Sequence, residues 1–243
     1  MVAEASFDIT LKEQTKPTLV VGQAHLGMAG VTAADYVVRH LDSRQIGHVD
    51  SEQLPAIAPF EEGIPRHHSR LYAIEDTELT VLVGELFIPP GAARAYTDEL
   101  LELAEAEGIE EILILHGVPF PHGPDEHEVF SVATPAYQEI RLAETSIEPL
   151  QGGFLDGVAG EIVTRCLDDR APDTGVFVTP THPPGPDIEA TLKFIMALED
   201  VYDISVDESE LRELGARFEE YYEQLEERMS TMTDTEESDR MFM

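Results

Sequence analysis

TLVVGQAHLGMAGVTAADYVVRHL, residues Thr18–Leu41, decides the fold. Four uncharged residues, Thr18 to Val21, lead into glycines at Gly22, Gly27 and Gly30. Met28, Val31, Ala34, Tyr36, Val38 and Leu41 then recur largely at helical spacing. The pattern reads as buried strand, glycine-rich turn and helix, the opening unit of an α/β sheet. Glycine supplies positive φ and lets the backbone pass close to another group. That group is either a ligand phosphate at the helix N-terminus or a tightly packed strand or helix. Gly22, Gly27 and Gly30 therefore form a candidate ligand loop. A P-loop needs Lys and Ser or Thr after its second glycine, where Met28-Ala29 stand. A dinucleotide fingerprint needs G-x-G-x-x-G, and only the Gly27-x-x-Gly30 half is present. The stretch specifies a fold and leaves the reaction open.

Around this unit, strands and helices alternate. Phe7–Leu11 reads as an edge strand and Gln45–Asp50 as a short strand. Leu54–Phe60, with Pro55 and Pro59, suits an extended loop, and Arg66–Arg70 a polar loop. Leu71–Ile74 and Leu79–Gly84 make a hairpin. Pro89-Pro90-Gly91 opens a helix over Ala92–Glu107, which Gly108 stops. Ile112–Leu115 is continuously apolar, as a parallel strand covered on both faces should be. A strand at Val129–Thr134 and a short helix at Pro135–Ala143 follow. A second glycine turn, Gln151–Gly157, feeds a helix at Val158–Leu167. The strand Val176–Thr179 then precedes a helix at Asp187–Leu198, whose first residue suits the helix dipole. The expected architecture is a single α/β domain, its mixed, mainly parallel sheet flanked by helices. Loops rich in Pro and Gly follow Gly84, Leu115 and Val178, at the sheet edge where open α/β folds take ligands.

The charge balance narrows the setting. Asp and Glu number 49 against 15 Lys and Arg over 243 residues, a formal net charge of −34. The acids are spread along the whole chain, and only Lys12, Lys16 and Lys193 are lysines. Diffuse acidity with scarce lysine keeps a protein hydrated in concentrated salt, where screening removes its self-repulsion. The expectation is a cytoplasmic protein of a halophilic archaeon. Nucleic acid is a poor partner, because there is no basic footprint to displace counterions from phosphates. No signal segment or membrane-length apolar run is read, so no membrane partner is expected. The single cysteine, Cys166, lies in a helical pattern and reads as a small packing residue.

From Asp207 the pattern changes. Leu211, Leu214, Phe218, Tyr221, Leu225 and Arg228 or Met229 follow three- and four-residue steps, a heptad-patterned helix that lies on the domain or pairs with another copy. Ser230–Arg240 is polar, acidic and without periodicity, as a disordered segment is. The chain then ends in Met241-Phe242-Met243, an apolar triplet on an acidic leash. Domain boundaries are accordingly expected at 1–229 and 230–243.

Catalytic constellations are not found. His116, His122 and His127 cluster with Asp125 but lack the compact spacings of zinc sites, so no metal is expected. G-x-S-x-G is absent, and 49 acids make any carboxylate pairing a matter of chance. No catalytic residue and no cofactor is assigned.

Taken in order, these motifs resemble the archaeal branch of the proteasome assembly chaperone family. The matching residues are Leu19-Val20-Val21-Gly22, Gly27-Met28-Ala29-Gly30 and Ala33-Ala34-Asp35-Tyr36-Val37. Gly84-Glu85 with Pro89-Pro90, Gly117-Val118-Pro119 and Val132-Ala133-Thr134 follow. Pro149–Gly153 and Asp156–Gly160 complete a set running from about Pro17 to Glu227. The resemblance implies a nucleoside phosphorylase-like fold without the catalytic residues, and homo-oligomers that bind the proteasome core particle or assist its assembly. It also implies, for some relatives, a hydrophobic–Tyr–any tail docking between α-subunits. Met241, Phe242 and Met243 match that tail at the first position and approximately at the second. The competing expectation is an enzyme of nucleoside phosphorylase or hydrolase type, using the Gly22–Gly30 loop for a phosphate-bearing ligand.

Overall fold

The apolar runs become strands, and the fully buried ones lie at the centre of the sheet. The computed structural model describes residues 5–120, 127–168, 171–182 and 185–217. The first strands are β1 (Ser6–Leu11), β2 (Thr18–Gln23) and β3 (Ser43–Glu52), with α1 (Ala29–His40) after β2. A two-stranded ribbon, β4 (Phe60–Glu61) and β5 (Ile64–Pro65), precedes the hairpin β6 (Ser69–Ile74) and β7 (Leu79–Gly84). Then come α2 (Pro90–Glu107), β8 (Glu111–Val118), β9 (Phe130–Ala133) and α3 (Pro135–Tyr137). The last elements are β10 (Glu148–Pro149), α4 (Gly157–Cys166), β11 (Asp173–Pro180) and α5 (Ile188–Tyr202).

Nine strands form one sheet in the order β1-β3-β6-β7-β2-β8-β11-β9-β10. Four neighbouring pairs are parallel, β7–β2, β2–β8, β8–β11 and β9–β10. The other four, β1–β3, β3–β6, β6–β7 and β11–β9, are antiparallel. The sheet is thus mixed, with the parallel run β7-β2-β8-β11 in the middle and the short parallel pair β9–β10 at one edge. Every residue of β2 and β7 is buried, and so is all of β8 except Val118. That continuity follows from cover on both faces. β1, at the edge, alternates between exposed and half-buried positions instead.

Leu19, Val21, Ile112, Ile114, Val176 and Val178 join α2 and α4 in one hydrophobic cluster. The alternate residues Val20, Leu113, Leu115 and Phe177 are equally buried, and strand periodicity turns them to the opposite face, where α1 and α5 pack together. Two helix ends are chemically explicit. Asp187 Oδ1 accepts from Ala190 N at 3.0 Å and caps α5. Asp156 stands at the N-cap of α4 in an extended conformation, yet its side chain makes no capping hydrogen bond.

Two expectations are corrected. Ser69 and Arg70, read as part of a polar loop, open β6, and Arg70 is 1% exposed. The Pro135–Ala143 helix holds α geometry only through Tyr137 and continues as a π-helical turn over Gln138–Leu142.

The chain divides into two compact units, 1–206 and 207–243. In the second, residues 209–217 are helical. The expected boundary after Met229, the stripe from Phe218 onward and the Met241–Met243 triplet lie outside the described residues. Among the described residues, no helix is long and apolar enough to cross a membrane.

Candidate functional site: a pocket at the carboxyl edge of the parallel strands

β2, β7, β8 and β11 run parallel, so their carboxyl ends share one edge, and the chain leaves each there in an irregular segment. A cavity of about 50 Å³ opens at this edge, lined by Gln23, His25, Phe87, His116, Asp156 and Val158 among others. Its floor is fixed by Gln23, whose amide nitrogen donates to Gly84 O at 3.3 Å and to Leu86 O. Tyr96 OH donates to Gln23 Oε1 at 2.9 Å. The glutamine is 8% exposed and engaged on both ends, so it joins β2 to the segment after β7.

The mouth is chemically different. His25 Nδ1 lies 2.9 Å from Gly117 O. A carbonyl only accepts, so Nδ1 carries a proton and donates it, and Nε2 is not engaged by this bond. The His116 ring stands 4.5 Å from the His25 ring, centroid to centroid. His116 is 6% exposed, and no hydrogen bond to its ring is found among the described residues. Burial, then the neighbouring His25, push its pKa down to about 4, with Asp156 opposing them. His25, His116 and Asp156 each offer one ligand atom, and these atoms lie within 4.8 Å of one another.

The glycines of the opening turn are closed off by protein. A Cβ on Gly22 would meet Ala34 Cβ at 2.3 Å and Gly30 O at 2.5 Å. On Gly30 it would meet Leu115 O at 2.4 Å, so α1 crosses the sheet in direct backbone contact. Gly27 has φ +70°, and Thr181 fills the space beside it. Asp187 N donates to Gly27 O at 2.8 Å.

Residues 19–226 match the profile described as "PAC2 family". This protein belongs to the PAC2 family. The PAC2 chain has no match among curated protein sequences. Solved structures do match it. It is similar to Pyrococcus furiosus PbaA, an archaeal homolog of proteasome-assembly chaperone, at 20% identity and a TM-score of 0.82, over 96% of this chain and 97% of that one. It is similar to Pyrococcus furiosus PbaB, an archaeal proteasome activator, at 19% identity and a TM-score of 0.76, over 91% and 99%. A protein of unknown function from Thermoplasma acidophilum is 28% identical with a TM-score of 0.72, over 90% and 92%.

Within the PAC2 fold the histidines read from the sequence are separated. His116 faces the pocket, while His127 joins His182 and Asp187 near the start of α5. His122 and Asp125 lie outside the described residues. A third group, His48, Asp50 and His67, sits on the antiparallel side, where the two imidazoles stack at 3.7 Å. Cys166 Sγ donates to Ile162 O at 3.3 Å, and burial raises its pKa, which disfavours the thiolate. A wider open groove of about 770 Å³ is lined by Glu128, Glu148, Glu199 and Asp200 around Lys193, a field that repels phosphate. The carboxyl edge also carries exposed apolar side chains. Phe154 is 94% exposed and Phe87 52%, with Leu26 and Met28 nearby in the turn after β2.

Sequence spacing missed the grouping of His25, His116 and Asp156, because the three come from segments far apart in the chain. The signal it did carry was position: His25 just beyond β2, His116 near the carboxyl end of β8 and Asp156 at the start of α4.

Proposed function

We propose that this PAC2 protein is a non-catalytic proteasome-binding protein, an assembly chaperone or activator, and that it acts as a homo-oligomer. The observation that carries the reading is the family match over 19–226, joined by likeness over nearly full length to PbaA and PbaB. In this reading the domain is a nucleoside phosphorylase-like fold that keeps the layers and lacks the chemistry. The exposed Phe87 and Phe154 provide apolar surface for association of copies. Met241, Phe242 and Met243 dock on the α-subunits of the core particle, and Phe242 buries its ring.

The enzyme reading is weaker on geometry. Ligand pockets for small molecules usually enclose about 300–1,000 Å³, well above the 50 Å³ cavity at the carboxyl edge. The Gly22–Gly30 turn is occupied by Ala34, Leu115 and Thr181, which leaves no cradle for a phosphate.

The test is retention of core particle on the immobilised full chain and on a chain lacking Met241–Met243, in molar salt. Retention by the full chain and loss with the shortened one supports both parts. No retention by either removes the proteasome reading, and equal retention by both transfers the contact to the folded domain.

A further inference from the structure

We propose that His25, His116 and Asp156 form a binding site for one divalent transition-metal ion, zinc by preference, at the carboxyl edge of the parallel strands. Three independent observations converge on it. The first is geometric: the ligand atoms of three side chains from three remote segments lie within 4.8 Å of one another. Tetrahedral zinc with bonds near 2.0–2.1 Å holds its ligand atoms about 3.4 Å apart. Only small torsions separate the two arrangements, and exposed Asp156 is the residue best able to make them.

The second observation is His116. Its imidazole is 94% buried and makes no hydrogen bond among the described residues, which leaves a ring nitrogen free to ligate. It lines a cavity of about 50 Å³, which has room for an ion and a water. The third is that both other donors are prepared. Gly117 O holds the proton of His25 on Nδ1, the outer hydrogen bond that metal-ligating histidines commonly make. Asp156 occupies an N-cap, where an aspartate ordinarily accepts from its helix, yet its carboxylate makes no capping bond.

Two imidazoles and a carboxylate suit zinc and its borderline neighbours, and they leave a fourth position for water. Sites that bind hard cations use oxygen donors alone, so calcium and magnesium are poor occupants. Of the three histidine–acid groups this one is the best placed. Asp187 already caps α5 and accepts from His182 N, and Asp50 is an exposed residue beside a stacked histidine pair. The bound ion would hold the segment before α4, including exposed Phe154, against the ends of β2 and β8. The inference is independent of the proteasome reading.

The experiment uses the full chain, stripped with a chelator, dialysed in molar salt and titrated calorimetrically with zinc alone. The expected result is one high-affinity zinc per chain and a higher melting temperature. Cobalt in its place should give the visible absorption of a four- or five-coordinate nitrogen–oxygen site. Asp156→Asn, at an exposed position, should weaken binding roughly 100-fold or more, beyond the 10–100-fold typical of outer-shell partners. His25→Gln should do likewise, and His67→Asn with His182→Asn should leave the tight site intact. No zinc uptake by the folded chain overturns the inference. So does tight binding that survives Asp156→Asn combined with His25→Gln.

Discussion

Arg70 Nη1 lies 2.7 Å from Glu85 Oε2, in a pair whose guanidinium is 1% exposed and whose carboxylate is 24% exposed. The Arg70 charge is held in a closed circuit. Its Nε donates to Tyr72 OH at 2.9 Å, and Nη1 also donates to His67 O at 2.6 Å. Nη2 stands 3.7 Å from Asp35, which pairs with Arg39 at 2.6 Å. Arg39 reaches Glu61, Glu61 pairs with Arg66 at 2.7 Å, and Arg66 returns to Glu85 at 3.0 Å. Three arginines and three acids thus alternate from α1 through the β4–β5 ribbon to the end of β7. Burial opposes the Arg70 charge, but the bonds to Glu85 and Tyr72 outweigh it and raise its pKa.

Breaking this circuit at its buried end should be costly. Glu85→Ala leaves the Arg70 guanidinium without its main counter-charge, and removal of one partner from a buried pair destabilises by about 3–5 kcal/mol. Because Glu85 is partly exposed, the lower end of that range is expected. Glu61→Ala acts on the exposed, solvent-screened side and should cost clearly less than Glu85→Ala. Denaturant unfolding of both variants in molar salt measures the contrast, and equal losses would refute the assignment of the buried end.

The close contact of α1 with the sheet makes a second prediction. Gly30→Ala would drive a methyl to 2.4 Å from Leu115 O, and Gly22→Ala one to 2.3 Å from Ala34 Cβ. Neither neighbour is the end of a flexible side chain, so α1 must shift, at a cost typical of overpacking, about 1–3 kcal/mol or more. Gly91→Ala is the control. It lies in the first turn of α2 with nothing within 4 Å, and should be neutral or stabilise by up to about 1 kcal/mol. Melting temperatures that fall for the first two and hold or rise for the third fit the packing.

Acid should weaken the fold partly through His68. Burial lowers its pKa first, with Asp50 opposing and His67 adding to the effect, and then Glu85 opposing and Arg70 adding to it. A histidine whose folded pKa is depressed binds fewer protons when folded than when unfolded. Stability is therefore full above the unfolded value, near 6.5, and falls as pH drops below it. Unfolding free energy measured between pH 7.5 and 5.5 at fixed salt should decline. The slope should be smaller in His68→Gln, and an unchanged slope would acquit His68.

Salt should act in the opposite sense to its effect on an isolated ion pair. With 49 acids and 15 cations, most carboxylates have no cation to pair with, and their mutual repulsion dominates at low ionic strength. Added KCl screens that repulsion more than it weakens the buried Arg70–Glu85 contact. The melting temperature should climb steadily from dilute buffer to molar KCl. A fall over that range would contradict the halophilic expectation.

The parts of the fold that local physics dictates were legible in the sequence. Ile112–Leu115 had to be a covered strand, Leu71–Ile74 and Leu79–Gly84 had to pair, and Pro90 and Gly108 had to bound α2. What stayed hidden depends on long-range partners. Arg70 looked like a loop cation because Glu85 and Asp35, its partners, stand 15 and 35 residues away. The π-helical turn after Tyr137 left no mark on the local pattern, and the ring that precedes it bonds a distant residue, its hydroxyl 2.9 Å from Tyr202 OH. His25, His116 and Asp156 share no motif, since the sheet topology alone brings β2, β8 and the start of α4 together.

The last prediction separates the aromatic ring of the tail from its missing hydroxyl. In the proposed docking mode Phe242 buries its ring between α-subunits, a contact worth roughly 1.5–3 kcal/mol. Phe242→Ala removes that burial and should weaken each tail by about 10- to 150-fold at 1.4 kcal/mol per factor of ten. Several tails on one oligomer engage together, so the loss multiplies across them and retention of the core particle should vanish. Phe242→Tyr keeps the ring and restores the hydroxyl found at that position in the tails the sequence resembles. If the pocket offers a partner, the hydroxyl adds about 0.5–1.5 kcal/mol per tail, and binding should tighten. Surface-bound core particle titrated with each variant in molar salt reads both effects. Light scattering should show the oligomer unchanged. Binding by Phe242→Ala equal to that of the parent chain would remove Phe242 from the interface.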